Sequence, residues 1–282
     1  MSLKEKLIDF LEDPKTLQDC YEAFPNETPS TIRGRLNESV GKHFHRLSKG
    51  IYVARQGDAT AIIIEGNAWD KIKDIESNSV DTIITDSPYS CLNHHLATGT
   101  TRKKNNEWSF KTADIDETLL REMIRVLKPS GHFFNFLPAD AADTYDYNNR
   151  FVELARKVGF TFNKRWIWNK ISLGMGYSGR NSYEQIIFMS KGKRRFPYDL
   201  SIRDLLSHKR IASSNKVHEA EKPIELIKDI LRFSCKPGDL AFDMFAGSLT
   251  LARAGLDLKI NTISIEMDPA MIEKSIIVRG LA

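Results

Sequence analysis

Apolar residues recur along the chain in two rhythms, and their alternation predicts the fold. Short apolar runs lie at residues 61–65, 80–85, 132–137, 240–243 and 261–266. Runs of this length, rich in β-branched and aromatic residues, read as strands. Between them, apolar residues return at helical spacing over 69–76, 114–127, 151–158, 221–233 and 269–278. Asp114 is the expected cap of the second of these helices. Residues 160–168 and 183–189 read as an antiparallel pair near one edge. This alternation predicts an α/β fold on a largely parallel, doubly wound, Rossmann-like sheet.

Residues 1–57 read as a separate module ahead of the sheet domain, 58–282. Helical spacing over 3–11 stops near Asp13-Pro14. A second helix is expected over 16–24, capped by Thr16 and closed by Pro25. Thr28-Pro29-Ser30 opens a third, since Ser and Pro suit a helix start. Residues 44–53 then read as two short strands around Ser48-Lys49-Gly50. Helices followed by a basic hairpin resemble a winged helix. On that resemblance residues 30–39 form the recognition helix and Lys49 sits at the wing. Arg33, Arg35, Arg46 and Lys49 supply phosphate contacts. The alternative is a small helical dimerisation or protein-interaction cap.

Two segments fall outside the strand–helix alternation. Residues 90–110 are polar and hold Arg102, Lys103 and Lys104. A long stretch of this kind is a lid or a surface loop. Residues 191–217 interleave Lys193, Arg194, Arg195, Lys209 and Arg210 with Phe196 and Tyr198. That mixture suits a nucleic-acid backbone plus base stacking.

Chemistry concentrates at two strand ends. Asp86-Ser87-Pro88-Tyr89 follows the run 80–85, where open α/β sheets place ligands. Asp86 and the carbonyl beside Pro88 can accept hydrogen bonds from an exocyclic amine, and Tyr89 can stack on the ring that carries it. Asp243 likewise ends a strand and opens Met244-Phe245-Ala246-Gly247-Ser248-Leu249-Thr250, a small-residue turn before a helix. Gly247 permits close approach of a ligand to backbone. Glu266, about 20 residues on, suits the two hydroxyls of a ribose. The loop lacks the lysine of a phosphate loop and the full G-x-G-x-x-G, so a ribose-bearing cofactor without phosphate fits better than a dinucleotide.

Together and in this order, these segments resemble the amino-group DNA methyltransferases that use S-adenosylmethionine, in the permuted arrangement with the catalytic motif first. Residues 86–89 resemble the D-P-P-Y motif, and 243–250 the D-P-F-A-G-S-G-T loop. Glu65-Gly66-Asn67-Ala68 resembles the G-D-A turn, Leu127-Lys128-Pro129-Ser130-Gly131 the turn before the next strand, and Trp168-Asn169-Lys170 the W-x-K segment. His218 with Lys222-Pro223, then Lys236-Pro237-Gly238-Asp239, resembles the H-x-x-x-K-P helix and P-G-D turn. The chain departs from the pattern at Ser87, Met244, Leu249 and Asn67.

The resemblance implies transfer of a methyl group to the amino nitrogen of an extruded base, adenine N6 by virtue of Asp86 at the first motif position. Catalytic residues are then Asp86, Ser87, Pro88 and Tyr89. The cofactor is held by Asn67, Ala68, Asp86, His218, Lys222, Pro223, Asp243, Phe245, Ala246, Gly247, Ser248, Thr250, Glu266 and Met267. By position, 191–217 matches the target-recognition region. Alternatives are cytosine N4, an RNA or modified-base substrate, and a non-catalytic DNA-binding regulator on the same fold.

Composition narrows the partners slightly. The net charge of +4 permits a polyanion such as double-stranded DNA. Cys20, Cys91 and Cys235 have no metal spacing, so no metal is expected. No signal-like start or long apolar segment occurs, and a cytoplasmic protein without membrane contact is expected. A homodimer is the open alternative to a monomer.

Overall fold

The computed structural model describes residues 2–10, 15–39, 44–48, 51–54, 59–88, 114–141, 144–172, 174, 179–212, 216 and 220–279. The expected 90–110 loop, with Arg102, Lys103 and Lys104, lies outside them, as do Tyr89, Cys91, Lys49 and His218.

The amino-terminal elements are α1 (Leu3–Phe10), β1 (Lys15–Thr16), α2 (Leu17–Ala23), α3 (Pro29–Ser39), β2 (Phe44–Ser48) and β3 (Ile51–Ala54). The strands make an antiparallel sheet in the order β1-β3-β2. Thr16 pairs with Ile51 in this sheet and directly precedes α2. Thr28 caps α3, its hydroxyl accepting from the Thr31 amide at 3.2 Å. Leu7, Cys20 and Ile32 close a small core between the three helices.

The larger sheet comprises β4 (Ala61–Glu65), β5 (Val80–Thr85), β6 (Leu127–Leu137), β7 (Phe160–Asn169), β8 (Tyr183–Lys191), β9 (Leu205–Ser207), β10 (Leu240–Asp243) and β11 (Asn261–Glu266). Their order is β4-β11-β10-β5-β6-β8-β7-β9, with β8 alone running against the others. The helices are α4 (Ala68–Lys71), α5 (Glu117–Val126), α6 (Tyr145–Lys157), α7 (Ile224–Ser234), α8 (Thr250–Asp257) and α9 (Pro269–Arg279).

The continuous apolar strands are explained by two covered faces. Ile83, Phe133, Phe242 and Ile263 point into a core shared with α5 and α6. Their neighbours Ile84, Phe134 and Ala241 point the other way, into a core shared with α7 and α8. In that second layer Phe134 stacks on Phe188 with centroids 4.7 Å apart, and Trp166 meets Phe233 edge-on at 4.7 Å.

Several expected boundaries move, each for a local reason. Asp116, not Asp114, caps α5: its Oδ1 accepts from the Leu119 amide at 2.8 Å. Residues 127–131, expected as a turn, form the irregular start of β6. Helix α6 begins six residues early, and Asn148 in its first turn donates from Nδ2 to the Pro138 carbonyl and to Asp140. Pro223 precedes α7 and fixes its start at Ile224. Strand β9 was not anticipated; it adds an edge inside the 191–217 segment.

Helix α8 lies close against β11 at Gly255. A Cβ there would stand 2.3 Å from Thr262 Cγ2 and 2.9 Å from the Ile260 carbonyl oxygen. Gly255→Ala is therefore expected to lower stability by about 2 kcal/mol through overpacking. Adding Thr262→Ser, which removes the facing methyl, recovers part of that loss. Urea unfolding midpoints of the single and double variants check both statements.

Candidate active site

The chain leaves β5 through α5 toward β6 on one side, and β10 through α8 toward β11 on the other. Strands β5 and β10 are thus the hydrogen-bonded pair at which the winding reverses, in register at Ala241–Thr82 and Phe242–Ile83. Such a switch point opens a crevice at the carboxyl ends of the strands. Here it delivers Asp86 and Asp243 side by side, tied by the Thr85 hydroxyl, which donates to Asp243 Oδ1 at 2.8 Å.

The crevice is a cleft of about 260 Å³. Its walls include Asn67, Ala68, Asp86, Ser87, Pro88 and Lys222, together with Asp243, Phe245, Ala246, Gly247, Ser248, Thr250, Glu266 and Met267. These come from five separate stretches of sequence. Pro223 stands behind the wall as the residue before α7. Trp69 and Phe245 meet edge-on across it, centroids 5.6 Å apart. Neither Trp69 nor Phe136 was singled out from sequence, since each reads as an ordinary apolar position.

The loop after β10 is shaped by its own backbone and by Glu266. Glu266 Oε2 accepts from the Gly247 amide at 2.7 Å, while Oε1 accepts from the Met267 and Asp268 amides at 2.8 and 2.9 Å. The carboxylate expected to meet ribose hydroxyls thus also braces the turn. Gly247 has φ +47°, and Leu249 has φ +54°, ψ +33°. A left-handed leucine costs about 1 kcal/mol of backbone strain. It is held because its side chain is wholly buried with Ala246 and Ala252. Asn67, in place of an acid, accepts from the Trp69 amide at 2.9 Å and caps α4.

Charge in the cleft is arranged in opposed pairs. Lys222 Nζ pairs with Asp86 Oδ2, lies 3.4 Å from Glu184, and sits 5.1 Å from the centroid of the Phe136 ring. Lys222, placed by sequence on the cofactor, lines the cleft and is paired there with Asp86. Glu184 is held in turn by Lys170 at 2.7 Å. Burial pushes the Asp86 carboxyl up, against the pull of Lys222. Burial would pull Lys222 down, but Asp86 and Glu184 outweigh it and hold the ammonium above its ordinary range. Burial pushes Asp243 up to about 7, although the Phe245 amide and Thr85 hydroxyl favour its charged form. Asp86 Oδ1 and Ser87 Oγ are buried without a hydrogen-bond partner among the described residues. A buried polar atom left bare is costly, and it marks where a donor fits.

The basic residues expected on DNA separate into groups. Lys209 and Arg210 are exposed at the carboxyl end of β7, on the side of the cleft; the Arg210 amide donates to Lys170 O at 3.4 Å. Lys193, Arg194 and Arg195 follow β8, which runs the opposite way, and they emerge at the other end of the sheet. Arg195 there donates to Thr82 Oγ1 at 2.9 Å and to the Ser234 carbonyl, and lies 3.9 Å from Asp81. From Asp81 to Thr85 is roughly 13 Å of strand. The structure therefore splits this segment, and Arg195 is engaged in joining β5 to α7. Arg33 and Arg35 are exposed on α3, where Arg33 lies over the Tyr21 ring at 5.6 Å. Arg46 falls on β2.

The arrangement can hold a cationic ligand against carboxylates, grip an aromatic ring beside Trp69 and Phe245, and present a bare oxygen to an N–H. Comparison with known proteins agrees with this chemistry. The chain is 29% identical over 237 residues to the type II methyltransferase M.HpaI of Haemophilus parainfluenzae, covering 73% of this chain and 72% of that protein. It is 24% identical over 264 residues to the DNA adenine methyltransferase YhdJ of Escherichia coli K12, covering 80% and 85%. The fold resembles the solved PvuII DNA methyltransferase, described as cytosine-N4-specific, with a TM-score of 0.61 and 18% identity over 81% of this chain and 90% of that one. Residues 80–278 match the N6/N4 DNA methylase family model, and the chain belongs to that family.

Proposed function

We propose that the protein transfers a methyl group from S-adenosylmethionine to the exocyclic amino nitrogen of a base in double-stranded DNA, adenine N6. The observation that carries this reading is the bare, buried Asp86 Oδ1 at the end of one strand beside a cofactor-type loop at the end of its hydrogen-bonded neighbour. Adenine is favoured by Asp86 at the first motif position and by the likeness to a relative named for adenine. Cytosine N4 is the second reading, since the fold is shared with an enzyme of that specificity.

The cleft fits the donor by its chemistry. Asp243 and Glu266 suit its positive charge and its hydroxyls. Phe245 and Trp69 offer an aromatic wall. When bound, S-adenosylmethionine supplies a methyl group already made electrophilic by the sulfonium charge. The protein's own part is alignment and hydrogen bonding. A duplex hides the amino nitrogen, so the target base must be turned out of the stack. Asp86 accepts one amino hydrogen and the Ser87 carbonyl the other. These bonds draw the nitrogen lone pair out of conjugation with the ring and strengthen as positive charge grows on nitrogen. Tyr89, beyond the described residues, is the stacking partner in this reading.

The same proposal makes residues 1–57 a winged-helix-like DNA contact distinct from the catalytic domain, 58–282. Its support is the order α1-β1-α2-α3-β2-β3 and the exposed arginines on α3. No helix among the described residues is long and apolar enough to cross a membrane, and we place the reaction in the cytoplasm.

Asp86→Ala is expected to lower methyl transfer by at least about a thousandfold. Binding of S-adenosylmethionine, followed by calorimetry, stays within about threefold, because Lys222 keeps Glu184 as a partner. Near-normal turnover in that variant removes Asp86 from its role. Long-read sequencing of DNA from cells expressing the protein reads out the modified base, and N4-methylcytosine in place of N6-methyladenine overturns the base assignment.

The raised Asp243 sets a pH dependence. Its carboxyl titrates at about 7 in the ligand-free protein, and only the charged form attracts a cation. Donor affinity is therefore expected to be flat above about pH 8 and to weaken by close to tenfold per unit as pH falls below about 7. Asp243→Asn binds weakly with no such slope. Stability of the ligand-free chain moves oppositely. The folded carboxyl holds its proton more tightly than the unfolded one, whose ordinary value is 3.8. The contribution of this group to stability thus falls as pH rises from about 4 to 7. Thermal melting of the Asp243→Asn variant against the parent should show the variant gaining ground across that interval.

A further inference from the structure

We propose that Glu184 is a positioning residue for Asp86, acting through Lys222 to keep the carboxylate both fixed in orientation and available to the incoming amine. The inference deepens the reading of Asp86 as the amine acceptor and rests on it. Four charged side chains alternate in sign from one side of the sheet to the cleft. Lys170, just after β7, pairs with Glu184 of β8 at 2.7 Å. Glu184 lies 3.4 Å from Lys222, just before α7, and Lys222 pairs with Asp86 after β5. The Lys222 side chain is only 9% exposed, and Glu184 and Asp86 are 18% and 21% exposed. Glu184 is absent from the cleft wall, so it reaches the reacting atoms only through Lys222.

An isolated Lys222–Asp86 pair would serve this chemistry poorly. The ammonium would cancel the carboxylate and set a positive charge beside a nitrogen that becomes positive as it is methylated. Glu184 supplies a second anion, so Lys222 is shared rather than spent on Asp86. The four charges sum to zero, which a poorly hydrated site requires. Meanwhile the Lys222 bond to Oδ2 pins the carboxylate, leaving Oδ1 bare for the substrate. The charged groups that bear on Asp86 are Lys222, Glu184 and Lys170, with Asp243 beside it and Lys216 acting on Lys222 and Glu184. Glu184 raises the Asp86 carboxyl and Lys170 lowers it.

Removing the two outer charges should therefore move Asp86 in opposite directions. In full-length protein, E184Q is expected to cut turnover by about tenfold or more while KM for DNA and donor stays within about threefold. The acid limb of its rate–pH profile shifts to lower pH. K170M shifts that limb to higher pH, and E184D restores most of the parent turnover. Affinity for a target duplex in the presence of S-adenosylhomocysteine, measured against pH, should show the same opposed displacements without any reaction. Limbs that stay put or move together, or E184Q turnover within about twofold of the parent, overturn the proposal. If E184Q lacks a cooperative melt, K170M decides alone: an upward shift supports the proposal and a fixed limb overturns it. A parent chain that transfers no methyl group overturns the functional reading and this inference together; an active parent with unsplit limbs overturns this inference only.

Discussion

The hydrogen-bonded pairing of β5 with β10 is the constraint on which the rest of the molecule depends. Their residues lie some 160 positions apart in sequence, as the Thr85–Asp243 bond shows. No local preference brings them together. What does so is a sheet whose central strands are apolar on both faces, so that each must be covered by helices on both sides. Crossovers then run outward in opposite senses from this pair, and the crevice between the two departing chains follows from the winding itself. Asp86 and the turn 243–250 are neighbours because they end neighbouring strands.

Into that crevice the protein places more carboxylates than lysines. Asp86, Asp243 and Glu266 line it with Lys222, and Glu184 and Lys170 stand behind Lys222. The excess is managed in three ways: by protonation at Asp243, whose carboxyl rises to about 7; by backbone amides at Glu266; and by Lys222, held between Asp86 and Glu184. Each is a different answer to the cost of burying charge. A cleft tuned this way favours a ligand that brings positive charge with it.

Much of this was legible in the sequence, and the parts that were not share a cause. Strands such as 80–85 and 261–266 announce themselves because burial on both faces leaves an unbroken apolar run. Asp86 and residues 243–250 stand out because strand ends in such sheets carry ligands. Glu184 was invisible: it is one acid in a mixed stretch, and its meaning comes from Lys170 and Lys222, which are distant in sequence. The fate of 193–195 was invisible for a related reason. Residues 160–168 and 183–189 read as an antiparallel pair, but nothing local says which of the two runs with β6, so a basic cluster adjoining β8 could not be assigned to one end of the sheet. The cap at Asp116 rather than Asp114 is a smaller case, since two acids stand two positions apart and either suits the start of the same helix.

Leu249 carries a consequence of its own. A glycine at this bend would be free to sample many backbone states, and any ligand would have to freeze them. The leucine side chain, seated between Ala246 and Ala252, does that freezing during folding instead. The entropy of ordering the turn is thus settled before a small molecule arrives, and association need not supply it. The loop behaves as a rigid socket, and variation in donor affinity among such chains should follow what lines the socket rather than how readily it forms.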